Sequence, residues 1–364
     1  MGDLNQKQKV KVEAEAKSGR ETQLGLKFWK KTLGLQHVKE SEKGGNLMWK
    51  KIFIFCLTIC FLSTLGLGAR DEAFGAAKRY KMVFIVKSMD NPFWNMMLEG
   101  AQNAAKDLGL EIKGLAPIKP NNVEEQIRQM EDAITAKVDA IIVVPSDSKG
   151  IVPGIEKANR AGVPVMTSNT RAFGGKFIAF AGAPNEEAAY IVAKTFLETL
   201  GGKGSVIILE GVPGAQTAID RKTGIDRAIK EFPNVKVLAS QTAKFSRVEG
   251  MRVMENLLQQ FPKIDAVICA NDEMALGAIE AIDAAKKLKD IKVAGFDGNN
   301  DAIKSIADGR LMITGAQRPD AQAYWSVLGA YMYLEGYPVP REIYVPCPPV
   351  DKSNVGEYLK RIKK

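Results

Sequence analysis

The sequence predicts an α/β protein built as two doubly wound parallel-sheet lobes. Three observations predict it. Short β-branched runs alternate with helix-length stretches, the runs are apolar throughout instead of alternating with polar residues, and the whole pattern starts again after about residue 200. A strand apolar on both faces is buried on both, as in a parallel sheet with helices packed on each side. The 364 residues suffice for two cores, and 46% hydrophobic with 26% charged residues is ordinary globular composition.

In the first array the predicted strands are 81–87 (KMVFIVK), a run around Ile112, 140–144 (AIIVV) and 163–167. Helices are expected at 93–108, 123–136 and 150–161, where the apolar spacing changes to a helical period. In the second array the strands are 205–209 (SVIIL), 235–239, 265–269 (DAVIC) and 291–294, with helices at 218–231, 248–260 and 273–287.

Open parallel sheets hold their ligands beyond the carboxyl ends of the strands. The segments at those ends share one chemistry. They are Ser88-Met89-Asp90-Asn91-Pro92-Phe93-Trp94, Ser168-Asn169-Thr170-Arg171, Ala270-Asn271-Asp272-Glu273 and Asp297-Gly298-Asn299-Asn300-Asp301. Planar side chains such as Asn, Asp and Arg make paired hydrogen bonds at fixed geometry, which matches adjacent sugar hydroxyls. Aromatic faces match the C–H faces of the same ring. Each segment also has a plain structural reading: Asn91-Pro92 as a helix start, Asp272 as an N-cap, Asp297-Gly298 as a turn, Phe93 and Trp94 as core. The recurrence at four strand ends favours a polar cleft.

Other functions lose their usual residues. The only histidine is His37, upstream of both arrays, which removes the partner of most serine, cysteine and histidine-metal chemistry. No catalytic residue, metal site or cofactor is therefore assigned. The run 297–301 (DGNND) lacks the glutamate that would complete a calcium loop. Of the net charge of +9, residues 1–69 carry +6, so the body offers no basic stripe for nucleic acid. A dinucleotide enzyme needs a glycine-rich first turn, and residues 88–94 contain no glycine. Cys56 and Cys60 precede the arrays, and spacing leaves open whether Cys269 and Cys347 pair.

Residues 48–69 begin Met-Trp-Lys-Lys, continue as an apolar run and end in small residues, the layout of a secretory signal. The run is short of the roughly 20 residues a membrane span needs. Residues 1–47 read as a non-native or disordered extension, with Met48 as the start. Export to the periplasm is the expectation.

The residues quoted above resemble the periplasmic ribose-binding protein family, relatives of the ligand-binding core of the lactose repressor. The resemblance spans about residues 79–350. It rests on Asp90-Asn91-Pro92-Phe93-Trp94, the run 239–258 (ASQTAKFSRVEGMRVMENLL), the run 271–278 (NDEMALGA), Gly295-Phe296-Asp297-Gly298 and Ala316-Gln317. It implies the type I periplasmic binding protein fold, with a first lobe of residues 80–183 and 317–346 and a second of 184–316 and 347–364. Three crossings near Ala183, Gln317 and Pro346 form the hinge. It implies a monomer that captures a monosaccharide or polyol for the permease of an ABC-type importer, in some cases also serving a chemoreceptor. A repressor-like regulator is the alternative, and the leader at 48–69 speaks against it. By the same resemblance Ser88, Asn91, Phe93 and Trp94 are first-lobe ligand contacts; Arg221, Phe245, Asn271, Asp297 and Gln317 are the others. Where ribose binders carry an Asp-Arg pair, this chain has Asn169 and Thr170, followed by Arg171; these three are further expected ligand contacts, and a ligand other than ribose is expected.

Overall fold

The computed structural model describes residues 79–362. The extension 1–47, the leader 48–69, His37, Cys56 and Cys60 lie outside the described residues.

The first array runs β1 (Lys81–Ile85), α1 (Pro92–Leu108), β2 (Glu111–Leu115), α2 (Val123–Thr135), β3 (Ala140–Val143), α3 (Val152–Arg160), β4 (Val165–Ser168) and β5 (Phe180–Gly182). The second runs α4 (Asn185–Thr199), β6 (Lys203–Glu210), α5 (Gln216–Ile229), β7 (Asn234–Thr242), α6 (Arg247–Gln260), β8 (Ala266–Cys269), α7 (Asp272–Ala284), β9 (Lys292–Ala294), α8 (Asn300–Ala307) and β10 (Ile313–Gly315). The chain then returns with α9 (Pro319–Leu334) and β11 (Glu342–Tyr344), and ends with β12 (Pro349–Asp351) and α10 (Val355–Ile362). One sheet has the order β11-β5-β4-β3-β1-β2, the other β12-β10-β9-β8-β6-β7. All pairings are parallel except β10 with β12.

Both sheets are covered on both faces, as the unbroken apolar runs predict. Met82 and Phe84 of β1 pack with Met97, Ala101 and Val327, while Val83 and Ile85 point the other way, toward Met130, Ile141 and Ile155. In β6, Ile207 and Leu209 meet one core and Val206 and Ile208 another. The sequence reading leaves out several short elements and also the 15-residue α4, whose buried Ala188, Ala189, Val192, Ala193, Phe196 and Leu197 do follow a helical period. β5 and β10 have three residues each, and α9 is apolar around much of its circumference.

Helix starts follow local chemistry. Asn91 caps α1 by accepting from the Phe93 amide, with Pro92 at the first helical position. Asn271 caps α7 by accepting from the Met274 amide, so Asn271 and not Asp272 is the cap. Each asparagine caps the helix that follows a strand, Asn91 after β1 in one lobe and Asn271 after β8 in the other.

Helices α6 and α7 touch backbone to backbone through a reciprocal glycine pair. A Cβ on Gly277 would lie 2.0 Å from the Arg247 carbonyl oxygen, and one on Gly250 2.7 Å from that of Met274. Gly277→Ala should therefore force the helices apart and cost about 1–3 kcal/mol. Urea denaturation should show a lower midpoint with an unchanged slope; an unchanged midpoint would mean the contact yields without cost.

Candidate ligand-binding site

The segments beyond the strands of both sheets surround one narrow cavity of about 20 Å³, far below the ~300–1,000 Å³ usual for drug-sized ligands. From the first lobe it is lined by Lys87 and Asn91 after β1, Phe93 and Trp94 on α1, and Asn169 after β4. From the second come Thr217 and Arg221 on α5, Phe245 after β7, Asn271 after β8 and Asp297 after β9. The lobes also touch directly. The Ser148 amide donates to the Gly214 carbonyl at 3.1 Å, and Ser148 Oγ accepts from the Gln216 amide at 2.9 Å, at the start of α5.

Aromatic rings form two of the walls. Phe93 and Trp94 meet edge to face, with centroids 4.9 Å apart and planes at 83°. Phe245 is held at φ 58°, rare for a bulky side chain, and follows Lys244 at φ 54°. Its ring lies against Gly211, where an added Cβ would come within 2.1 Å of the ring. The strained turn thus sets the ring's position in the cavity wall.

Arg221 and Asp297 are nearly without solvent exposure and pair with each other, Nη1 to Oδ1 at 3.2 Å. Arg221 also donates from Nε to Asn185 Oδ1 at 2.9 Å and from Nη1 to the Ala270 carbonyl at 2.7 Å. Its guanidinium stacks 4.1 Å from the Phe296 ring centroid. Asp297 accepts a second bond at Oδ1, from Gln317 Nε2 at 2.8 Å. Its backbone, at φ 131°, is fixed by bonds from its amide to Gly315 and from the Gln317 amide to its carbonyl.

Gln317 lies behind the cavity wall and continues the network into the first lobe. Its Oε1 accepts from Gln322 Nε2 at 3.0 Å and from Asn169 Nδ2 at 3.4 Å, and Asn169 Nδ2 also donates to Gln322 Oε1 at 3.0 Å. Thr170 is buried and donates to Asn169 Oδ1 at 3.2 Å. It supports Asn169 from behind and opens no space in the cavity. Arg171 faces away, donating to Glu342 at 2.6 Å and to the Tyr344 hydroxyl at 3.1 Å while stacking over Phe180. The expected ligand contacts Ser88, Thr170, Arg171 and Gln317 are thus not among the cavity-lining side chains; the other eight are brought together there.

Lys87 was missed. The sequence reading ended the first strand on it and gave the ligand contact to Ser88, but β1 stops at Ile85 and the strand-end side chain in the cavity is Lys87. Its signal was a lysine closing an otherwise apolar strand, since lysine is rarely buried without a reason. It is 1% exposed, with Nζ 5.5 Å from the centroid of the Trp94 ring.

The electrostatics follow from burial. Loss of water pushes the Lys87 amine down to about 7, with the Arg221 charge acting the same way and Asp297 against. Burial raises the carboxyl of Asp297, opposed by Arg221 and Gln317. Burial, and then the Asp297 charge, raises that of Asp272, which accepts from Thr314 Oγ1 at 2.6 Å and the Asn299 amide at 2.8 Å. Both cysteines are free and buried, their thiols raised by desolvation, so Cys269 and Cys347 form no bridge.

A lysine whose folded pKa lies below its unfolded value lowers stability most at low pH. Its penalty fades as pH rises from about 7 toward the unfolded value near 10.5. Lys87→Met should therefore melt several degrees above the wild type near pH 6, with the gap closing toward pH 10. Scanning calorimetry of the unliganded proteins that finds no pH-dependent gap would place Lys87 in a wetter setting.

Residues 82–338 match the family described as "Periplasmic binding protein domain". The ribose import binding protein of Bacillus subtilis (strain 168) is 36% identical over 293 residues, covering 80% of this chain and 94% of that protein. An ABC transporter solute binding protein from Bacillus halodurans C-125, solved with bound myo-inositol, superposes with a TM-score of 0.74 at 31% identity, covering 79% of this chain and 99% of that one. One from Actinobacillus succinogenes 130z, solved with bound D-allose, gives a TM-score of 0.73 at 31% identity, covering 77% and 100%. With both sheets matched and that length of sequence shared, the chain belongs to the periplasmic binding protein family.

Proposed function

We propose that this chain is the solute-binding component of an ABC-type importer, which closes around one monosaccharide or cyclic polyol and carries it unchanged to the membrane permease. The observation that carries this reading is the composition of the cavity wall. Both lobes supply groups that suit a ring of hydroxyls: the amides of Asn91, Asn169 and Asn271, and the ion pair Arg221–Asp297. Phe93, Trp94 and Phe245 supply flat apolar faces for the C–H sides of such a ring. The bonds already made by Asp297 fall on Oδ1, which leaves Oδ2 to accept from a hydroxyl. The sugar and polyol ligands of the relatives fit the same chemistry.

The crossings near Ala183, Gln317 and Pro346 would act as the hinge. Bonds of Ser148 to Gly214 and Gln216 join the lobes away from the ligand, and they would form only on closure. Ligand should shift the population toward the closed form. Small-angle scattering should show compaction on addition of a bound monosaccharide, and Trp94 fluorescence should change with it. Ser148→Ala should weaken binding about three- to tenfold through loss of closed-state stability, without touching ligand. Equal scattering profiles with and without a ligand proven by calorimetry would reject closure.

The leader at 48–69 would direct export to the periplasm and be removed. N-terminal sequencing of the exported protein should find a start between Arg70 and Lys78; a chain retaining 48–69 would argue for an anchored protein instead.

A further inference from the structure

We propose that Asp272 is a positioning residue for the ligand site: its buried carboxylate lines no part of the cavity but clamps the turn that presents Asp297, and so sets affinity from behind the wall. This rests on the reading of the cavity as a sugar or polyol site and adds to it the part that holds the site in shape. Asp272 opens α7, one residue after the cap Asn271, and is absent from the cavity lining. An acidic residue in a first helical turn ordinarily serves the helix dipole and needs no burial to do so. Asp272 is fully buried, and its carboxylate is spent on two other segments. Its Oδ2 accepts from the Asn299 amide at 2.8 Å, and its Oδ1 accepts from Thr314 Oγ1 on β10 at 2.6 Å.

These bonds bracket Asp297. The Asp272 amide donates to the Phe296 carbonyl at 2.7 Å, so one residue holds the position before Asp297 and, through its carboxylate, the second position after it. The position between is held by Thr314, whose Oγ1 accepts from the Gly298 amide at 3.3 Å while its hydroxyl donates to Asp272. Asp297 and Gly298 have φ of 131° and 74°, a conformation that persists only where its surroundings over-determine it. The space is cut to the carboxylate as well. A Cβ on Gly295 would lie 2.3 Å from Asp272 Oδ1, and one on Gly298 2.7 Å from the Ala316 Cα. Asp297 has to meet Arg221 and Gln317 with Oδ1 and keep Oδ2 for a hydroxyl. Binding groups have to stay within about 0.5 Å of their working geometry, which a loose turn would not allow. A carboxylate suits the clamp because it only accepts, and both groups aimed at it donate. An amide in its place must turn its NH2 toward the Asn299 amide or the Thr314 hydroxyl, and one of those bonds is disturbed.

The test is isothermal calorimetry with D-ribose, D-allose and myo-inositol at about pH 8, chosen because burial raises both carboxyls. Asp272→Asn should weaken the tightest of the three by about tenfold or more, although the residue lies outside the cavity wall. Thr314→Val, which removes one of the two bonds, should lose about three- to tenfold, and Thr314→Ser, which keeps the hydroxyl, should recover most of that loss. In an Asp297→Asn background, Asp272→Asn should cost less than about twofold more, since its effect runs through Asp297. A role confined to folding would lower the urea midpoint and leave the affinity of the folded protein unchanged. That result would overturn the inference, and so would an equal loss in both backgrounds. Crystal structures of unliganded Asp272→Asn and Thr314→Val supply a readout that needs no ligand. The Asp297 carboxyl should leave its place beside Arg221 and Gln317, and an unmoved carboxyl in both variants would also overturn the clamp. Failure of the wild type to bind any pentose, hexose or inositol at millimolar concentration would overturn the sugar-carrier reading instead, with the crystal structures still judging the clamp.

Discussion

Arg221 and Asp297 are a buried ion pair at the point where two lobes share one wall. Taking both charges out of water is costly, and the pair is stable only if its remaining hydrogen-bonding capacity is filled. The surroundings of the pair are organised to do this. Asn185 and the Ala270 carbonyl saturate one side of the guanidinium, the Phe296 ring covers its face, and Gln317 supplies Asp297 with a second donor. Asn185 opens α4, Ala270 follows β8 and Gln317 follows β10, so the pair ties three separate segments to one geometry. The backbone of Asp297 is kept at an unfavourable φ for the same purpose. Truncating Arg221 would thus strip a carboxylate and a carbonyl of their partner as well as remove a cation from the cavity wall.

The pair also explains why the network becomes uncharged as it enters the first lobe. From Asp297 the chain of bonds passes through Gln317 to Gln322 and Asn169, all amides. Amides donate and accept at once, so each link satisfies its neighbours without adding a charge to be balanced. Such a chain is insensitive to pH in the range where the protein would work, and any pH response of the cleft is left to Lys87 and the buried carboxyls.

Much of the fold was legible because burial on both sheet faces leaves a plain sequence trace. β3 and β8 are apolar at every position, β1 and β6 carry the unbroken apolar runs Met82–Ile85 and Val206–Leu209, and the helices between them have clear periodicity. Of the three-residue strands β9 was legible, whereas β5, β10, β11 and β12 were not, since they are defined by neighbours and not by their own composition. Among the strand-end residues that line the cavity, Asn91, Asn271 and Asp297 were legible because their side-chain type is itself informative. Lys87 was hidden because a strand of period two that is buried on both faces gives no clue to where the strand ends and the cavity begins. Thr170 and Arg171 were misjudged for a related reason. Asn169 takes φ 55°, a turn that sends the next two side chains behind and outside the cavity, and adjacency in sequence does not reveal that rotation.

The contacts of Ser148 with Gly214 and Gln216 have a kinetic meaning. If the lobes close as proposed, with aromatic walls on both sides and these bonds joining them, a captured molecule would leave only when the lobes part. Its dwell time would then be governed by the rate of opening and not by the strength of any single bond to it. A membrane partner that grips the two rims and pulls them apart could therefore discharge the cargo without competing for one atom of it, and could do so at a rate the free protein never reaches.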